Sequence, residues 1–170
     1  MLMVRGLEDM AVPENSSVYF SADSKLLTSE GYITYNNLLR SPLFNIVLIS
    51  VATRDSKFKS CLNGVKEVYA IELKKVNSKN SRSISVSPNC FVLHRIKGAI
   101  RVDDLIVGDI VRGFIDDFYE VKTITKTIIS TCYITPTHPV KRELDCFLVV
   151  DDILVSWTDL EKEKLNVIRK

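Results

Sequence analysis

Residues 84–111, ISVSPNCFVLHRIKGAIRVDDLIVGDIV, alternate apolar and polar and are cut every few positions by a turn signal. Ile84 and Val86 fall on one side of an extended chain, Ser85 and Ser87 on the other. That period of two is the mark of a half-buried strand. Pro88-Asn89 breaks the alternation and Phe91-Val92-Leu93 resumes it. Lys97-Gly98 reads as a tight turn, because glycine tolerates a positive φ. Ile100 and Val102 continue the next strand; Asp103-Asp104-Leu105 and Val107-Gly108-Asp109 then turn the chain into Ile110-Val111. Runs this short leave no room for a helix of ordinary length, so the pattern predicts an all-β chain.

The same pattern occurs earlier. In residues 17–39, Val18 and Phe20 open an apolar run, Leu26-Leu27 reads as a buried strand, and Ser29-Glu30-Gly31 as a turn. Ile33 and Tyr35 begin a second alternating strand that runs to Leu38. Gly31, Ile33, Tyr35, Asn37 and Leu38 match Gly98, Ile100, Val102, Asp104 and Leu105 at one constant offset. A repeat inside one small domain predicts two related halves packed about a pseudo-twofold axis.

Between and after the repeats the chain stays β-rich. Residues 44–51 are an apolar, β-branched run that predicts a strand, 52–64 a loop, 65–73 a strand and 74–83 a polar hairpin tip. Val121, Ile124, Ile128-Ile129 and Tyr133 predict one or two strands; 147–150 and 153–155 flank Asp151-Asp152 as a hairpin. Residues 1–16 read as an irregular lead-in, 17–157 as the β domain, and 158–170 as a tail in which Asp159 would cap a short helix.

Composition narrows the function. The 170 residues are 46% hydrophobic with a net charge of +2, enough for one packed core and too balanced to indicate nucleic acid. No apolar run approaches the roughly 20 residues of a membrane span, and the first residues lack the apolar core of a signal peptide. The chain is expected to be either cytosolic as it stands or part of a longer precursor. Cys61, Cys90, Cys132 and Cys146 form no C-x-x-C pair, and His94 and His138 are not spaced as a zinc site. They predict no metal and no cofactor, with buried free thiols as the plainer reading and one or two disulfides as the alternative. Asn15-Ser16-Ser17 is a sequon that carries little weight.

Residues 84–111 resemble the second half of a Hint domain, the self-processing module shared by hedgehog proteins and inteins. In that family a strand ends in Thr-x-x-His, an apolar strand and a turn follow, and the segment closes as Leu-x-x-Gly-Asp-x-Val. Leu105, Gly108, Asp109 and Val111 supply the closing part. Ser87 stands where the Thr would be and Cys90 where the His would be. Near the end, Leu154-Val155-Ser156 resembles the hedgehog strand that leads into Ser-Cys, with Trp157 here in place of the Cys. The resemblance implies a Hint fold of two interlocked, pseudo-twofold-related β subdomains.

It also implies a chemistry. A Hint domain cleaves the peptide bond before its first residue: a Cys, Ser or Thr attacks the preceding carbonyl, and the His protonates the departing amine. The family's opening Cys-x-x-x-Asp matches Asp23, which puts the nucleophile position at Tyr19. A phenol, with an ordinary pKa near 10, is a poor substitute there. Ser17 and Ser21 are the nearest hydroxyls, but using Ser17 needs a register slip. Cys90 carries no positive charge and replaces an imidazole badly. His94 would lie over 10 Å along the strand and reads as a surface residue. His138, after Thr-Pro-Thr, is a candidate acid from the second half, Asp55 a candidate base or a loop charge, and Trp157 core or a small lid.

Tyr19, Cys90 and Trp157 are thus altered together. The expectation is an autoprocessing domain by descent whose reaction is lost or slow. The alternative is a non-catalytic β module for interaction or structure. A third is residual cleavage by Ser17 or Ser21 with His138. The implied partner is an upstream domain of the same precursor or another protein; sterol enters only through the hedgehog branch.

Overall fold

The computed structural model describes residues 18–28, 31–34, 37, 58–136 and 143–161. Among them eleven strands form one sheet system. In chain order these are β1 (Phe20–Ser21), β2 (Lys25–Thr28), β3 (Gly31–Thr34), β4 (Phe58–Lys75), β5 (Ser81–Val86), β6 (Phe91–His94), β7 (Gly98–Arg101), β8 (Ile110–Arg112), β9 (Phe118–Pro136), β10 (Phe147–Val150) and β11 (Ile153–Ser156).

The repeat read from the sequence is a repeat in space. β2 and β3 form a hairpin with Leu26 opposite Ile33; β6 and β7 form another with Val92 opposite Ile100. Gly31 and Gly98 open the second strand of each, at φ values of 98° and 79° that only glycine adopts easily. The β10–β11 hairpin lies between them. Leu26 pairs with Val150 on one side and Val92 with Val155 on the other. The order β7–β6–β11–β10–β2–β3 therefore reads alike from either end, with the pseudo-twofold passing through the central hairpin. Leu26, Val92, Val150, Val155, Ile33 and Ile100 all pack in the main core. Asp151 and Asp152 close the central turn, both at positive φ, as a two-residue hairpin turn requires.

The other half is a long ribbon. β4 and β9, 18 and 19 residues long, pair along nearly their full length, with bulges between Leu62 and Gly64 and between Glu72 and Leu73. Bulges bend and twist a ribbon. The bend lets the short β1 close a ring: β1 pairs with β5 through Phe20–Val86 and with β9 through Phe20–Cys132, while β4 pairs with both β5 and β9. Phe20, Val86 and Cys132 are fully buried in that seam.

Several expectations need correction. Residues 58–64 belong to β4 rather than a loop, because the 131–136 end of β9 supplies their ladder. The hairpin tip shrinks to residues 76–80, since β4 runs to Lys75 and β5 begins at Ser81. β7 stops at Arg101; Val102–Asp104 is a 3-10 turn, drawn in by the Val102 amide donating to the Cys90 carbonyl at 2.7 Å. The strand expected at 44–51 lies outside the described residues. So do the lead-in 1–16 and, beyond Glu161, the tail helix; within the described part, Asp159 Oδ1 accepts the Glu161 amide at 3.1 Å. No helix among the described residues is long and apolar enough to cross a membrane.

Candidate functional site

Tyr19 precedes β1 and Ser87 follows β5, so the ring seam brings their backbones side by side. The Ser87 amide donates to the Tyr19 carbonyl at 2.9 Å, and the Tyr19 amide donates to Ser87 Oγ at 3.1 Å. The Ser87 hydroxyl donates to Asn89 Oδ1 at 2.7 Å. Its lone pair is thereby turned to the Tyr19 N–H, and the buried hydroxyl is satisfied on both sides. The Tyr19 phenol points elsewhere, donating to the Glu67 carbonyl of β4 at 3.0 Å, with the Lys66 ammonium 5.7 Å from its ring centre.

Cys90 closes the tight turn after β5, its amide donating to the Ser87 carbonyl at 3.1 Å. Its side chain is fully buried. The thiol lies 3.5 Å from the Ser156 carbonyl and 4.0 Å from Ser156 Oγ, and Ser156 Oγ accepts the Phe91 amide at 2.8 Å. Burial pushes the Cys90 thiol up to about 12, with the Ser156 contacts opposing it only in part. A thiol so placed stays protonated at neutral pH and is inert as a nucleophile.

Trp157 follows Ser156. It packs on the main core, its amide donates to the Cys146 carbonyl at 2.9 Å, and its indole N–H donates to the Asp145 carbonyl at 3.1 Å. Of the residues singled out from sequence, the structure thus joins Tyr19 to Ser87 directly and sets Cys90 against Ser156, the residue before Trp157. Asp55, His138 and Ser17 lie outside the described residues. Ser21 is in β1, its hydroxyl accepting the Asp23 amide at 3.1 Å.

His94 is not a surface residue. It is buried, with Nε2 3.1 Å from Asp109 Oδ1 and Nδ1 accepting the Ile96 and Lys97 amides, each at 3.1 Å. Two N–H groups on Nδ1 fix the tautomer, so Nε2–H donates to the carboxylate. Asp109 Oδ2 accepts the Ile106 amide at 3.0 Å. Burial works against its charge, but the Ile106 amide and the His94 ring hold it below the usual carboxylate range. The pair clasps two turns together and leaves no ring lone pair for proton transfer. Cys90, Cys132 and Cys146 are free and buried.

Sequence reasoning passed over Ser156 and Asn89. Ser156 had a signal, its place beside Trp157 at the end of an apolar strand; Asn89 had only its neighbour Pro88. Among the described residues no group of three His, Cys, Asp or Glu side chains converges on a metal-sized site.

The sequence matches no protein-family model and no curated protein sequence. Solved structures do match. The crystal structure of a DnaB intein from Synechocystis sp. PCC 6803 superimposes with a TM-score of 0.65 at 22% identity, covering 83% of this chain and 99% of that one. The gp41-1 intein gives 0.60 at 10% identity, covering 83% and 99%. The DnaX mini intein from Spirulina platensis gives 0.58 at 15% identity, covering 81% and 98%. The paired hairpins about β10–β11, the ring closed by β1 and these superpositions together establish that the chain has the Hint fold of the inteins.

Proposed function

We propose that this chain is a Hint-type autoprocessing domain by descent, of the hedgehog and intein kind, in which the cleavage reaction is lost or slow. The observation that carries the reading is the reciprocal pairing of Tyr19 with Ser87. In the family's chemistry the leaving amine is the backbone nitrogen of the nucleophile residue. Here the Tyr19 amide lies on the hydroxyl of Ser87, at the position of the family's Thr. The frame for activating that peptide bond is kept, while the groups that would react are not. The phenol of Tyr19 is engaged by the Glu67 carbonyl of β4. Cys90, at the His position, offers a buried thiol held by Ser156 in place of an imidazolium. Ser87 Oγ accepts from the amide and its own O–H is donated to Asn89 Oδ1, so that O–H is not directed at the amine.

A second reading, a non-catalytic interaction module, is favoured by a separate observation. Ile96, Ile106 and Val107 are exposed aliphatic residues on the two turns that His94 and Asp109 hold together.

Intact mass of a fusion with a folded reporter before Met1 tests the first reading, with and without a strong thiol. The native chain is expected to keep one mass. A double variant, Tyr19→Cys with Cys90→His, is expected to split before residue 19 when thiol is added. A native cut before Ser17, Tyr19 or Ser21 would overturn the inactivity. An uncut double variant that folds normally would overturn the assignment of Tyr19 and Cys90.

A further inference from the structure

We propose that the outer edge of β9, between residues 122 and 129, is a strand-addition site for an extended peptide with an acidic side chain between two aliphatic ones at alternate positions. From Ser130 back to Thr123, β9 pairs with β4 without a bulge, so its backbone alternates strictly between facing β4 and facing away. Two contacts fix the phase. The Ser130 carbonyl accepts the Ala22 amide, on the side away from β4, at 3.0 Å. The carbonyl of Glu67, the residue opposite Ile128, accepts the Tyr19 phenol and so is turned away from β9. The amides and carbonyls of Ile124, Lys126 and Ile128 therefore face outward. Both ends of this edge are taken. β1 pairs with Thr131 and Cys132; at the other end Val121 accepts the Gly108 amide at 2.9 Å and donates to the Asp109 carbonyl at 2.8 Å. Between them the six outward groups have no partner among the described residues.

An open edge of amides and carbonyls is a template for another strand, and this opening is roughly 26 Å of extended chain. Thr125, Lys126, Thr127 and Ile128 are exposed, so neither face of the ribbon is roofed over there. Ile124, Lys126 and Ile128 share one face, Thr125 and Thr127 the other. Lys126 lies 5.6 Å from the Tyr69 ring centre and makes no ion pair among the described residues, while Lys122 is held by Glu120 at 3.4 Å. Glu67 stands on the same face one strand further in, opposite Ile128. An incoming strand thus meets one cation between two aliphatic side chains, and its complement is a carboxylate between two aliphatic side chains. A second copy of the edge fits badly. The antiparallel register that pairs Ile124 with Ile128 sets Lys126 against Lys126, and like charges directly opposite repel. The site is independent of whether any peptide bond is processed.

Amide hydrogen exchange of the full chain, read residue by residue by NMR, tests the site. The probes are the capped peptide Thr-Ile-Thr-Glu-Thr-Ile-Thr at millimolar concentration and the same peptide with Lys in place of Glu. With the Glu peptide, the amides of Ile124, Lys126 and Ile128 are expected to slow about tenfold or more, while Thr125 and Thr127, already bonded to β4, stay unchanged. The Lys peptide is expected to leave all five unchanged. In Lys126→Glu the preference between the two peptides should reverse. No slowing with the Glu peptide, or equal slowing with both, would overturn the proposal. Slowing of the same three amides in the peptide-free chain as its own concentration rises would give the edge to a second copy, and would overturn it as well.

Discussion

Tyr19 and Ser87 grip each other twice, through the Ser87 amide to the Tyr19 carbonyl at 2.9 Å and the Tyr19 amide to Ser87 Oγ at 3.1 Å. The second bond depends on a side chain. Ser87→Ala removes the acceptor of the Tyr19 N–H bond and the hydroxyl that donates to Asn89 Oδ1. A loss of about 1–2 kcal/mol is expected, read as a lower urea midpoint. Ser87→Thr, which keeps the hydroxyl, should lose less than half as much; equal losses would refute the role of the bond.

Alkaline stability follows from the buried thiols. Burial raises Cys90 from 9.0 to about 12, and raises Cys132 for the same reason. The folded state thus holds these protons more tightly than the unfolded chain does. Their contribution is fully present below pH 9 and is lost as pH rises from 9 toward 12. The urea midpoint should fall across that window, and fall less steeply in Cys90→Ala/Cys132→Ala. Parallel curves for the two proteins would show that the thiols play no part.

Asp151 works in the opposite sense to a salt-bridged carboxylate. Burial lifts it from 3.8 to about 6, opposed in part by the Lys25 amide, which donates to its carboxylate. The folded state binds its proton more tightly, so stability falls as pH rises from about 4 to 6. Asp151→Asn removes the charge and suits the φ of 49° at this site. After discounting for solvent, a gain of about 1 kcal/mol at pH 7 is expected, vanishing below pH 4. A variant no more stable at pH 7 than at pH 4, relative to native, would contradict this.

Gly113 is a packing requirement. A Cβ there would come within 2.5 Å of the Tyr119 ring and 2.8 Å of the Asp152 carbonyl oxygen. The carbonyl is fixed by the central turn and accepts the Phe114 amide at 2.8 Å. Gly113→Ala should cost about 1–3 kcal/mol, seen as a lowered Tm. A neutral result would mean that the turn at Asp151-Asp152 shifts freely.

The His94–Asp109 clasp predicts coupling. His94→Leu takes the acceptor from the Ile96 and Lys97 amides and the ring donor from Asp109 Oδ1, and Asp109→Asn weakens the same contact from the other side. Each change should destabilise, and a double-mutant cycle should return about 1–3 kcal/mol of interaction. Additive losses would show that the two residues stabilise the turns separately.

Strand by strand, the alternation of Ile84/Val86, the run Phe91-Val92-Leu93 and the hairpin around Asp151-Asp152 each appear where the sequence puts them. The repeated offset between Gly31 and Gly98 anticipated the matched hairpins. These features are set by local periodicity and by residues that alone tolerate a given φ, so the linear order is enough. The misplaced β4 start at Phe58 came from residues whose polar composition reads as loop, while their partners lie 67 to 78 positions away (Gly64↔Thr131 to Phe58↔Pro136).

The alternation and the turn residues by themselves determined most of the described strands, their turns and the pseudo-twofold plan. Tertiary structure alone decided what the site residues touch. Tyr19 meets Ser87 across 68 residues, Cys90 meets Ser156 across 66, and His94 is drawn inward by Asp109. Each of these depends on a ring or a hairpin closing, and a hydrogen bond between distant residues leaves no periodic trace in the chain. Whether a cysteine is a reagent or a piece of core is settled by the water excluded around it, which only the closed fold fixes.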